Sequence, residues 1–284
     1  MSGIWIVAGF ALRESLRRRV FVVVALLTVV FLGLYGLGTW QAFKSVQAGE
    51  LDQGVDTRIV AGAILLGLSM FATLFLGAIL AVFLTLGAVR GDAERGLLQP
   101  LLVRPLTRGT FLAGRFLAAA AVCVAYVIVV FFASVLITHA FGDWWPDTIL
   151  LPALELAGGV AVLVALALAG SVVLSSTANG IAIFMLFGAG LTAGLLGEIG
   201  DALDSHTLSN VAKISSWILP FEALYQQALA AITQDTVGFT RLAIKLGPFG
   251  GAQTFGPALA PYVVAYVIGV GVLARWSFRR RDLS

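Results

Sequence analysis

The groups that do covalent chemistry in proteins are sparse in this sequence, and they do not assemble into reactive sets. Ser175, Ser176 and Thr177 form a run of hydroxyls with no base nearby, and turn formation and helix-end hydrogen bonding account for them. His139 and His206 each lack a neighbour at metal-ligand spacing, so a structural role is expected for both. The one cysteine, Cys123, lies in an apolar run; it has no partner for an intrachain disulfide and is expected to be a buried, inert thiol. No G-x-x-x-x-G-K-S/T phosphate loop, H-E-x-x-H, G-x-S-x-G or pair of intramembrane aspartates occurs, so ATP hydrolysis and membrane proteolysis lack the groups they need. The chain is expected to be no enzyme and to hold no cofactor or metal. What remains is a concentration of charge. Residues 90–115, RGDAERGLLQPLLVRPLTRGTFLAGR, carry five arginines and two acids, and their chemistry is charge-assisted contact with another molecule.

The elements that position this stretch are apolar. The chain is 60% hydrophobic and 12% charged, against about 45–50% and about 25% in a soluble domain. Each bilayer crossing takes roughly 20 apolar residues, and the sequence divides into six such spans, at 20–38, 59–89, 116–138, 150–174, 181–196 and 258–274. The expectation is an all-α membrane protein, a single transmembrane domain over residues 1–284. The first apolar run has no signal-peptide layout and no A-x-A site, so it is expected to be retained as an anchor. The second run is about 45 Å long as a helix, longer than the ~30 Å hydrocarbon core, so it must tilt, kink or project.

Between the spans the polar segments differ in kind. Residues 4–19 place Ile4, Val7, Ala8, Ala11 and Leu12 on one helical face, with Arg13, Glu14, Arg17, Arg18 and Arg19 crowded at the end, as in an interfacial amphipathic helix or a plain basic flank. The leucines of 90–115 are too few and too interrupted to cross a bilayer, so a surface helix is expected there. Trp144 and Trp145 suit an interfacial aromatic belt. Residues 175–180 read as a tight polar turn between spans. The Gly190-x-x-x-Gly194 spacing permits close helix contact, although chance produces such spacing readily among 32 glycines. Residues 198–256 are the least apolar, and within them Phe221, Leu224, Tyr225, Ala228, Leu229 and Ile232 share a helical face behind Pro220, a first-turn residue. That helix is too short to span and is placed in the outer interface or as a re-entrant element.

Charge sets an orientation. The chain start, residues 90–115 and the chain end together hold 13 of the 18 basic residues but 4 of the 15 acids. The positive-inside rule then predicts both termini in the cytoplasm. Within the six spans Glu155 is the one ionisable residue, which counts against a proton or sodium relay. The basic residues cluster beside apolar ends, so nucleic acid is not an expected partner.

The arginine-rich stretch resembles the corresponding segment of the type-2 exporter permeases of the ATP-binding-cassette (ABC) superfamily. Glu94-Arg95-Gly96-Leu97-Leu98-Gln99, Leu101-Leu102, Pro105-Leu106-Thr107-Arg108 and Leu112-Ala113-Gly114-Arg115 follow that family's order of features, with Leu97 in place of Thr, Gln99 in place of Glu and an extra Pro100. Leu219 to Tyr225, Leu-Pro-Phe-Glu-Ala-Leu-Tyr, is similar to the family's element between spans 5 and 6. The resemblance implies a permease subunit that pairs with a separate ATPase, which holds the ATP and magnesium, and with a second permease copy or paralogue. It implies that Arg90, Asp92, Glu94, Arg95, Leu98, Gln99, Arg104 and Arg108 form a coupling helix against that ATPase. Arg13, Glu14 and Arg17 then lie on the interfacial helix that flanks it. It also implies a prokaryotic plasma membrane, with aromatic and small residues of spans 2 and 5 lining the path. The other function classes are an ion-coupled transporter or channel and a non-transporting membrane assembly protein.

Overall fold

The computed structural model describes residues 3–16, 19–47, 57–86, 107–232 and 253–280. Among them the chain forms nine helices and no strand: α1 (Gly3–Leu16), α2 (Arg19–Gln47), α3 (Thr57–Thr85), α4 (Arg108–Gly142), α5 (Leu150–Val173), α6 (Ser176–Ala202), α7 (His206–Ile218), α8 (Pro220–Ala231) and α9 (Leu259–Arg280). Six of them, α2 to α6 and α9, are long and apolar enough to cross a membrane. The chain is an all-α, multi-pass membrane protein. Hydrocarbon offers the backbone no hydrogen bonds, and a helix satisfies its own.

Several helices outrun the apolar runs that announce them, because a helix ends where its caps lie and not where its apolar residues stop. The helix that contains residues 116–138 is the 35-residue α4. Thr107 starts it: in extended backbone conformation, its Oγ1 accepts a 3.2 Å bond from the Thr110 N–H. Asp143 ends it in the left-handed region, donating its N–H to the His139 carbonyl. Residues 108–115, read above as the end of a surface stretch, are thus the first turns of α4. The polar turn at 175–180 is likewise shorter than its composition implies, since α6 begins at Ser176.

The core lies where α3, α4, α5 and α8 meet, around Leu66, Met70, Leu74, Phe131, Leu156, Val160, Leu163 and Tyr225. Solvation by lipid removes the hydrophobic driving force between helices, so small residues and interhelical hydrogen bonds take over. Ser69 bonds Ser134 at 2.6 Å between α3 and α4, and Thr28 pairs with Tyr126 at 2.7 Å and Tyr35 with Thr138 at 2.5 Å between α2 and α4. Asn179 of α6 donates to the Ala167 carbonyl at 2.9 Å and packs against Gly170, stitching α5 to α6. In contrast, α2 and α9 turn most of their apolar side chains outward, including Val22, Leu26, Val30, Leu34, Val264, Ile268 and Val272.

The helix ends gather at two poles. At one, Val7 of α1 packs on a cluster of Phe111 and Leu112 at the start of α4, Leu168 and Val172 at the end of α5, and Ala274 and Phe278 at the end of α9. Val82 and Leu86 at the end of α3 meet Ile183 near the start of α6 there. We call this the arginine pole. At the far pole, Phe43 of α2 packs on Gly142, and Arg58 lies 4.0 Å from Asp143. Trp144 does not join an aromatic belt. It is 8% exposed, packed so tightly on Gly62 that a Cβ there would stand 2.5 Å from its ring, while Trp145 stays outside beside His139.

Candidate functional site

Helices α7 and α8 form a hairpin that enters from the far pole and turns at Leu219. Its reception is written into α6 as a stripe of glycines. A Cβ on Gly190 would stand 2.6 Å from the Phe221 ring, one on Gly194 would strike the Glu222 carboxylate, one on Gly197 would stand 3.1 Å from Ala212, and one on Gly200 would stand 2.8 Å from the Ser209 backbone. The Gly190-x-x-x-Gly194 pair is therefore used, against the hairpin. On the opposite side Phe221 packs on Gly159 and Leu224 on Gly158 of α5, and the Tyr225 hydroxyl points to the Gly67 carbonyl of α3. The tip thus rests among the middle residues of α3, α5 and α6.

The expected face of α8 (Phe221, Leu224, Tyr225, Ala228, Leu229, Ile232) is buried, and Pro220 opens the helix as its first-turn position favours. Its other side is buried too. Glu222 is 0% exposed and Gln226 is 2% exposed, joined by a 3.2 Å bond from Nε2 to Oε1, with Oε2 of Glu222 unpartnered. A second acid holds the hairpin from α5: Glu155 accepts a 2.7 Å bond from Gln227, whose own carbonyl accepts from the Phe255 N–H at 3.2 Å. The last carbonyls of α7, which no intrahelical donor reaches, are met from α9. Tyr262 donates to the Trp217 carbonyl at 2.5 Å and Tyr266 to that of Ile218 at 2.9 Å.

From the tip a ladder of rings runs outward. Phe221 stacks on Phe187 of α6 at 5.6 Å, Phe187 meets Phe75 of α3 at 5.7 Å, and Phe75 meets Phe184 at 6.4 Å, with Phe71 between Phe75 and Tyr225. Phe221 and Phe187 are buried, whereas Phe75 is 38% and Phe184 36% exposed. This aromatic face suits apolar or amphiphilic matter and contact with another helix. It lies on α3 and α6, the second and fifth of the six long apolar helices.

Of the residues expected to form a coupling helix, Arg90, Asp92, Glu94, Arg95, Leu98, Gln99 and Arg104 lie outside the described residues, as does Arg17. Arg108 is the first residue of α4. Arg13 is exposed on the last turn of α1, which also contains Glu14. Helix α1 buries Ala8 and Ala11 of its expected apolar face, but it also turns Trp5, Ile6 and Phe10 outward, so it is apolar on two sides. Sequence reasoning missed Glu222 as a buried acid. Its signal was available in the glycine stripe of α6, which marks where another chain segment must come close. Among the described residues, no three His, Cys, Asp or Glu side chains cluster as a metal site.

The curated proteins contain no match to this sequence. Residues 5–283 match the model of a family described as the ABC-2 family transporter proteins, nearly the whole chain. The six apolar helices that chain builds, and the polar hairpin seated inside them, thus belong to a member of the ABC-2 family, an ABC transporter permease.

Proposed function

We propose that this chain is the membrane-spanning subunit of an ATP-driven exporter, working as a pair of permeases with a pair of separate ATPase subunits. The observation that carries the reading is the arginine pole. The two described ends that flank the coupling stretch, Leu86 after α3 and Thr107 before α4, lie at the pole where α1 packs and where α9 ends in Arg279 and Arg280. A soluble ATPase that docks on residues 90–108 therefore pushes on α3 and α4 directly, and through α3 on the aromatic face. In this reading both termini are cytoplasmic, in a prokaryotic plasma membrane. The α7–α8 hairpin is re-entrant from the other side, and the path runs between two copies along the α3 and α6 ladder. ATP and magnesium are held by the partner.

The ion-coupled alternative gains one observation, the buried Glu222 carboxyl, since an acid at that depth is costly. Glu222 faces Gln226 and the α6 backbone and not the exposed aromatic face, which favours a role inside the fold. The test is capture of the ATPase encoded with this permease by the purified complex, with ATPase activity measured in liposomes. The double variant Glu94→Ala, Arg95→Ala should reach the membrane normally and lose ATPase association or the permease-dependent part of the activity. Full association and full coupled activity in that variant would remove residues 90–108 from the mechanism.

A further inference from the structure

A groove of about 310 Å³ opens between α4, α5 and α9 at the arginine pole. Small residues make it: Gly109 and Ala113 of α4, Ala165 and Ala169 of α5, and Gly271 of α9. Its walls are apolar except at one end, where Arg275 lies flat along Gly109, close enough that a Cβ there would stand 3.0 Å from Nε. Along α9 the lining runs from Val267 to Arg275, about 12 Å of helix. No carboxylate among the described residues pairs with Arg275.

The groove is polarised along its length. The apolar lining runs along α9 to Val267, away from the arginine pole, and the guanidinium lies at the pole end, one turn before Arg279 and Arg280 and beside Trp276, over which Arg280 lies at 3.7 Å. The first-turn N–H groups of α4 add positive character to the same corner. A single molecule satisfies both parts, one with an acyl chain and an anionic headgroup at the membrane surface. Guanidinium is the side chain that binds phosphate oxygens in pairs.

We propose that the α4–α5–α9 groove is a binding site for an anionic phospholipid, with an acyl chain along Gly271 and the headgroup phosphate on Arg275. The site ties α9 to α4 beside the packing place of α1. It rests on the multi-pass membrane character alone and not on the coupling role of residues 90–108, so either can fail without the other.

The test is native mass spectrometry of the full chain released from bilayers of phosphatidylglycerol or of phosphatidylcholine with the same acyl chains. Gly271 has nothing within 4 Å of where its Cβ would stand, and neither has Gly269, which does not line the groove. Leucine at 271 therefore fills the groove without disturbing the fold, and leucine at 269 is its control. The wild-type chain and Gly269→Leu should retain phosphatidylglycerol over phosphatidylcholine by about tenfold, the effect of one charge-assisted contact. Arg275→Gln should lose that preference while keeping a lipid adduct, and Gly271→Leu should lose the adduct. Equal adducts in all four proteins, an unchanged preference in Arg275→Gln, or a change of oligomer mass in place of lipid loss in Gly271→Leu would each overturn the site. ATPase capture in the same samples reads the other proposal separately.

Discussion

Gly194 of α6 lies against the Glu222 carboxylate with no room for a methyl group between them. The hairpin that contains Glu222 is thus seated by an absence of side chains. This seating makes the first prediction. Gly194→Leu and Gly190→Leu should unseat the hairpin, with overpacking costs of about 1–3 kcal/mol or more. Gly33→Ala, where nothing lies within 4 Å of the new Cβ, should be neutral or gain up to about 1 kcal/mol in helix propensity. Thermal unfolding in mild detergent reads the difference, and equal midpoints for the three variants would mean that the stripe does not hold the hairpin.

The aromatic ladder should divide by exposure. Phe187→Ala removes a ring that is 3% exposed and should destabilise by about 3–5 kcal/mol. Phe75→Ala and Phe184→Ala remove half-open rings and should leave folding nearly intact while lowering transport-coupled ATPase activity in liposomes. Wild-type activity in the Phe75→Ala, Phe184→Ala double variant would take the ladder out of the path.

Tyr262→Phe and Tyr266→Phe delete the hydroxyls that meet the last carbonyls of α7. Interhelical hydrogen bonds in lipid are worth about 0.6 kcal/mol on average and up to about 1.7. Each variant should lose roughly that much, and amide exchange should quicken in residues 206–218 before anywhere else in the bundle. Uniform quickening over all helices would place the effect elsewhere.

Glu155 and Gln227 join α5 to the hairpin, and Gln227 joins it onward to Phe255, four residues before α9. Gln227→Leu strands a buried carboxyl and should destabilise by about 1–3 kcal/mol or more. Adding Glu155→Leu should recover most of that loss, because two apolar groups then face each other. A double variant as unstable as the sum of the two singles would show that the pair is not coupled.

Topology is tested by reporters. Fusions after Arg281 and within residues 41–58 should report opposite sides of the membrane, as the arginine bias requires. Signals from the same side would end the six-span arrangement, and with it the docking of an ATPase at the arginine pole.

The sequence alone was enough for the all-α class and for six apolar helices, because lipid permits little else to a chain with runs of this length and composition. It also marked Pro220 as a helix start and the face of α8 from Phe221 to Ile232. Tertiary structure decided the rest, for a physical reason. In an apolar solvent both the lipid-facing and the protein-facing sides of a helix are greasy, so periodicity does not say which is covered. Trp144 and Trp145 are neighbours of one type, yet one is packed on Gly62 and the other is half outside. Residues 108–115 read as the end of a charged surface helix and are instead the first turns of the long α4, since the cap at Thr107 and not their charge sets the boundary. Glu222 reads as a polar residue on a short interfacial or re-entrant helix and is fully buried, because glycines near thirty positions away in sequence leave the space that α8 enters.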